Sequence, residues 1–168
     1  MSAMISLPVD AGLFTFRAAA VWIHDGHILL QGDPTGDFWV LPGGRVEFME
    51  PAEVALRREL REELELGEQT RIERLLWVME TFFQSPEWGD GPVHALSFTY
   101  LITPSEADVA RLGDTSHAYP CAEPGSELLF RWFALADLPA TRPILPPFFN
   151  AGLLDLPAVP QMVLDQRM

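Results

Sequence analysis

The sequence predicts an α/β protein, with a mixed sheet covered by helices on both faces. Three observations carry this. Short runs rich in β-branched and aromatic residues, bounded by Gly, Pro and Asp, recur along the chain and read as strands. One segment beginning at Pro51 has the period of a helix instead, with Ala52, Leu56, Leu60 and Leu64 on one stripe. The order is strands, helix, strands, late helix, which suits a sheet with a layer on either side. A length of 168 residues fits one domain spanning 1–168, long enough for one substantial core.

Met1 to Gly12 is apolar but irregular, and reads as a flexible end or an arm packed on a partner. Leu13 to Ile23 is a strand, and His24-Asp25-Gly26 is a hairpin turn with the Asp-Gly signal. His27 to Gln31 returns as the second strand. His24 and His27 flank the turn, are expected in solvent, and lack the company of other metal ligands. Gly32 to Asp37 is a loop, Phe38 to Leu41 a short strand, and Pro42-Gly43-Gly44 a tight turn that ends it.

Pro51 suits the first turn of the helix, where a missing N–H costs nothing, while Glu50 is only a fair cap. Thr70 to Phe83 reads as a strand with a bulge, Ser85 to Pro92 as a loop, and Val93 to Thr103 as its hairpin partner. Pro104 to Leu112 is a short helix, and Gly113 to Ser126 a long loop of the kind that is often functional. Glu127 to Leu135 is the last strand, and Phe148 to Leu154 a closing helix.

Composition narrows the function. The formal charge of −13 argues against binding long nucleic acid through its phosphates. It does not exclude small phosphorylated substrates, because a bound metal reverses the local sign. Cys121 is the only cysteine, so no intrachain disulfide forms and a reducing, cytoplasmic setting is expected. No signal peptide and no membrane-spanning apolar run is expected.

The helix carries the chemistry. Glu59, Glu62 and Glu63 stand at i, i+3 and i+4, so three carboxylates crowd together and repel. Arg58 pairs with Glu62 in this spacing, with Arg57 and Arg61 on the flank. A hard divalent cation, Mg²⁺ or Mn²⁺, compensates better, since it prefers carboxylate and water oxygens. The plainer reading of an Arg/Glu-rich helix is a solvated face of ion pairs. The wider register decides against it. Gly44, five residues, Glu50, seven residues, Arg58-Glu59-Leu60-Arg61-Glu62-Glu63 and then Leu66 resembles the Nudix box, G-x5-E-x7-R-E-U-x-E-E-x-G-U with U aliphatic. Two positions depart from it: Glu65 stands at the last glycine, and Met49 where a glycine often precedes the first glutamate. With Glu65 there, the helix is expected to end without the usual left-handed glycine, or at Gly67.

The resemblance implies an α/β/α sandwich that hydrolyses a nucleoside diphosphate linked to another group, by attack of water on phosphorus. It implies metal ligands at Glu59 and Glu63, Glu62 as ligand or base, the Gly43 carbonyl as a further ligand, and Arg58 orienting the glutamates. Glu47 and Glu50 are expected to stabilise the loop or tune the metals, with Glu47 also a candidate substrate contact. An acid outside the box commonly assists; Glu127 and Glu123 are the first candidates, Glu87 and Asp90 the rivals. Arg17, alone in an apolar strand, is a paired structural arginine or a phosphate contact.

Of the aromatics able to stack on a base, Phe38, Trp39, Phe82, Phe83 and Trp132 are better core candidates, and Trp88 in its glycine-rich loop the better substrate candidate. His94 and His117 are candidates for phosphate or base. The partner is thus a small nucleotide, and the expected assembly, where there is one, is a homodimer. The competing function is a nucleotide-sensing module that binds without cleaving, although such modules are expected to lose the box acids retained here. A third is an isomerase or other diphosphate enzyme on the same fold.

Overall fold

The small residues Ala18-Ala19-Ala20 of β2 (Gly12–Val21) let other elements pack closely on its two faces. The computed structural model describes residues 4–34, 37–84, 91–138 and 143–167. On one face, Ala18 and Ala20 lie in a core with Leu56, Leu60 and Leu64 of α1 (Ala52–Leu64) and Leu112 of α2 (Glu106–Leu112). On the other, Ala19 and Val21 pack with Trp77, Met79 and Phe149 of α3 (Phe149–Gly152). The helices therefore cover both faces, as the element order predicts.

The strands form two sheets. The larger is mixed. In it β1 (Ser6–Val9), β2, β7 (Pro92–Thr103), β6 (Arg71–Gln84) and β10 (Gln161–Arg167) lie side by side, and β5 (Gly43–Arg45) joins β2 off that path. The β2–β7 and β6–β10 pairs are parallel and the rest antiparallel. The smaller sheet runs β3 (Ile23–His24), β4 (His27–Gly32), β9 (Leu129–Ala134), β8 (Ala118–Pro120), all antiparallel. Asp25 and Gly26 both have positive φ, 45° and 72°, as the two-residue hairpin turn requires. The bulge expected in β6 is present as register shifts at Ile72/Arg74 and Leu75/Trp77.

Several expectations are corrected. The segment before Gly12 is not a loose arm: Ser6–Val9 pairs with β2 through the Val9↔Gly12 hairpin. Phe38–Leu41 is not a regular strand, since Trp39 and Val40 make only isolated bridges, to Ile144 and Gln31. The strand is instead Gly43–Arg45, where a turn was expected. A Cβ on Gly43 would strike the Ala18 carbonyl, so glycine is there for close approach of two strands. The long loop after α2 contains the short strand β8, and the C-terminal segment contributes β10, which has no counterpart in the sequence reading. The closing helix is a single turn, Phe149–Gly152. His24 and His27 are half-buried, with His24 against Trp132 at 5.9 Å between ring centroids.

Candidate active site

α1 starts after Pro51, which is extended (φ −63°, ψ 143°) and offers no side-chain cap. Its inward stripe holds two acids among the leucines: Glu59 is 8% exposed and Glu63 5%. They are four residues apart and so on one line of the helix. Glu62 faces outward, with its side chain 44% exposed. The three acids thus divide into an inward pair and an outward third. Among the described residues no three His, Cys, Asp or Glu side chains form a ready-made cation cage.

One arginine ties Glu59 and Glu62 to the loop before the helix. Arg58 donates from Nε and Nη2 to the two oxygens of Glu50, both at 3.0 Å. Its Nη1 reaches Glu59 Oε1 at 2.8 Å and Glu62 Oε2 at 3.2 Å, and its Nη2 also reaches the Arg45 carbonyl at 3.1 Å. The hydrogen bonds to Glu50 chiefly raise the Arg58 pKa, and the same contact holds Glu50 below its ordinary value. The Glu47 N–H donates to Glu50 Oε2 at 3.0 Å, so Glu47 and Glu50 both belong to the loop that leads into α1.

The glycines bring backbone to the acids. A Cβ on Gly44 would collide with the Glu59 carboxylate, so this side chain lies directly on the β5 backbone. Gly43 donates its N–H to Gln31 Oε1 at 3.1 Å. Its carbonyl accepts from Arg17 Nη2, also at 3.1 Å. Burial lowers the Arg17 pKa, while the charges of Glu63 and Glu59 oppose that shift and Arg45 adds to it.

Glu63 is the exception to this pairing. Its Oε2 is buried without a hydrogen-bond partner among the described residues. Burial first, then the charge of Glu59, pushes its pKa up to about 8; Arg17 pulls the other way, and Glu123 and Glu62 add smaller increments. Glu123 lies in the loop after β8, and the neighbouring Ala122 N–H donates to the Glu63 carbonyl at 2.8 Å. Glu127 is exposed and forms no hydrogen bond or ion pair with α1 among the described residues. Glu87, Trp88 and Asp90 lie outside the described residues.

The chemistry of this donor set fits a hard divalent ion: carboxylates from Glu59 and Glu63, the Gly43 carbonyl, and one buried oxygen with no other partner. The fit rests on those groups alone.

A family model described as NUDIX domain matches residues 14–151. The chain belongs to the NUDIX family. Nucleoside triphosphatase NudI of Escherichia coli O139:H28 is 39% identical over 85 residues, 47% of this chain and 59% of that protein. NudI of Shigella flexneri matches to the same extent, so the alignment spans 59% of the length of these curated relatives. The NUDIX hydrolase of Nitrosomonas europaea superposes with a TM-score of 0.56 at 14% identity, covering 95% of this chain and 82% of that one. An ADP-ribose pyrophosphatase of Streptococcus suis 89-1591 gives 0.52 at 16%, covering 90% and 98%. At those identities the structural likeness establishes the fold.

The two departures from the NUDIX box keep the backbone that glycine would adopt. Met49 has φ 67° and Glu65 has φ 51°, both left-handed. Glu65 ends α1 itself, and its N–H donates to the Arg61 carbonyl at 3.0 Å while Leu66 N–H donates to Leu60 at 3.2 Å. The helix therefore stops where the box places its glycine and not at Gly67.

The aromatic and histidine candidates fall into separate environments. Trp39 and Trp132 are buried; Trp39 packs edge-on against Phe133, and the Trp132 indole donates to the Leu112 carbonyl at 2.8 Å. Phe82 packs on His94 at 4.4 Å between centroids, and His94 meets Glu80 at 3.0 Å. Phe83 lies under the Arg167 guanidinium. His117 pairs with Asp114 at 2.8 Å on the surface. The sequence reading missed the Gln31 side chain on Gly43 and the contacts of Asp108 and Arg111 with the end of α1. The one local signal was the Ser105-x-x-Asp108 capping pattern, which marks a helix start and not a link to another helix.

Proposed function

We propose that this NUDIX protein is a nucleotide pyrophosphohydrolase that works with Mg²⁺ or Mn²⁺. The observation that carries the reading is the buried Glu63 Oε2, unpartnered among the described residues, beside Glu59 on a helix whose neighbouring acids are held by Arg58. A buried polar oxygen without a partner costs about 1–3 kcal/mol. That cost is understandable where a cation is to be bound. Glu59, Glu63 and the Gly43 carbonyl would hold the ion, with Glu62 as an outer ligand or base. When bound, it would neutralise the anionic oxygens of the diphosphate and activate water at neutral pH.

The chain's own residues supply the rest. Arg58 fixes the Glu59 carboxylate through a charge-assisted hydrogen bond while anchored to Glu50. Arg17 fixes the Gly43 carbonyl and presents a cation that a substrate phosphate can approach. Glu123 is favoured over Glu127 as the assisting acid, because its charge is felt at Glu63. Glu47 and Trp88 stay as candidate substrate contacts.

The relatives called nucleoside triphosphatase put nucleoside triphosphates first among substrates to try, followed by ADP-ribose. The test replaces Glu63 with Gln and measures turnover of such a panel with Mg²⁺ and Mn²⁺, using circular dichroism as the fold control. Loss of product with an intact fold supports the reading, and unchanged turnover rejects it. Nucleotide binding by the wild type without any product identifies a sensor instead.

A further inference from the structure

The end of α1, where Glu63 sits, is held from outside the box. A helix leaves its last four carbonyls without intrahelical donors. Two residues of the chain turn, Glu65 and Leu66, serve Arg61 and Leu60. The carbonyls of Leu64 and Glu65 both accept from Arg111 Nη2 of α2, at 2.8 and 3.0 Å. The Glu63 carbonyl accepts from Ala122. Arg111 thus satisfies the two carbonyls that directly follow Glu63.

Arg111 is itself aimed. Asp108, one turn earlier on α2 and 6% exposed, accepts from Arg111 Nη2 at 3.3 Å. Its carboxylate also takes the Gly67 N–H at 3.2 Å, the Ser105 hydroxyl at 2.6 Å and the Thr70 hydroxyl at 3.5 Å. Asp108 therefore grips the chain leaving α1 and the arginine that caps α1 at the same time. The arrangement matters here because Glu65 occupies a left-handed position without being glycine. Such a residue holds a backbone that L side chains rarely adopt, and the bonds from outside the helix help to keep it.

We propose that Arg111, backed by Asp108, is a positioning residue for Glu63. It sets where the last turn of α1 lies, and so where the buried Glu63 carboxylate is presented to a divalent ion. This rests on the reading of α1 as the metal-binding helix. Arg111 and Glu63 also line one cavity of about 370 Å³ together with Tyr119 and Ala122, so the clamp borders the same space as the acid it places.

The test measures Mn²⁺ affinity of the full chain by electron paramagnetic resonance without substrate, next to thermal unfolding of the metal-free protein. Arg57→Ala is the comparison variant, because Arg57 ties the same helix to the Thr70 carbonyl, at 2.6 Å, without touching its end. Arg111→Ala should weaken Mn²⁺ binding about tenfold, the scale expected for a group that orients a ligand. Arg57→Ala should change it less than about twofold at a comparable loss of Tm. Arg111→Lys should recover part of the affinity, because an ammonium keeps the charge and enough donors to stand in for Nη2, but on a differently shaped side chain that places them less well. Should Arg111→Ala fail to fold, Arg111→Lys and Asp108→Asn carry the comparison with Arg57→Ala.

Equal loss of affinity in the Arg57 and Arg111 variants, or wild-type affinity in the Arg111 variants, overturns the proposal. If the wild type takes up Mn²⁺ and Glu63→Gln does not, while Arg111→Ala behaves as wild type, only the positioning role falls. If the wild type takes up none, the metal-dependent reading falls with it.

Discussion

Two neighbouring groups on α1 are built in opposite ways. Arg58 has partners on every side: Glu50 twice, Glu59, Glu62 and the Arg45 carbonyl. Glu63, five residues on, is more deeply buried and has an oxygen with none among the described residues. The electrostatics diverge accordingly. Glu50 is held below its ordinary pKa by Arg58, whereas Glu63 is pushed up to about 8 by burial and by Glu59. A saturated charge cluster fixes geometry, because losing any member strands the others. An unsaturated buried oxygen does not stabilise the fold, and it is the group to which the proposed cation would bind.

The largest effect should come from breaking the saturated cluster. Arg58→Met strands Glu50 and Glu59 and should cost about 3–5 kcal/mol in urea unfolding. A cost below about 1 kcal/mol would mean that the cluster is no scaffold. Glu63→Gln should do the reverse. Turnover should fall at least about a hundredfold, while metal-free stability at pH 8 stays level or rises.

Acidity separates the same two regions. Glu63 is raised in the fold, so its stabilising contribution is complete below about 4.5 and is lost as pH rises through about 8. Glu50 is lowered, so its contribution is present above its unfolded pKa and is lost as pH falls through the folded one. The metal-free Tm should therefore decline between about pH 4.5 and 8 by an amount that Glu63→Gln removes. Calorimetry at pH 7 should also find a proton released on Mn²⁺ uptake, and release that persists in Glu63→Gln would assign the proton elsewhere. The smallest effect lies at the helix end: Glu65→Gly, and separately Met49→Gly, should each stabilise by about 0.5–1 kcal/mol, since both positions are already left-handed. Destabilisation at Glu65 would show that its side chain contributes more than its backbone costs.

The box spacing makes α1, its acids and Arg58 legible in the sequence, because a helix repeats every few residues and its signal is local. The Asp-Gly turn likewise exposes β4 and its hairpin, although the other arm is the short β3 and β2 belongs to the larger sheet. The glycine pair reads as necessary from the sequence, but for the wrong reason: Gly43 and Gly44 form a strand pressed against Ala18 and Glu59. β10 escapes because it follows the last motif and is defined by its parallel partner β6, more than seventy residues earlier.

By itself, then, the sequence determined which groups are available: a run of acids on one helix, an arginine among them and glycines ahead of them. Only the tertiary structure decided what each one meets. It turned Glu59 and Glu63 inward and Glu62 outward, tied the Glu63 carbonyl to the loop that carries Glu123, and brought Arg111 from a distant helix to the end of α1. Helical period fixes spacing along one element, but burial and charge depend on which other elements pack against it. Those contacts join residues tens of positions apart, and no local pattern encodes them.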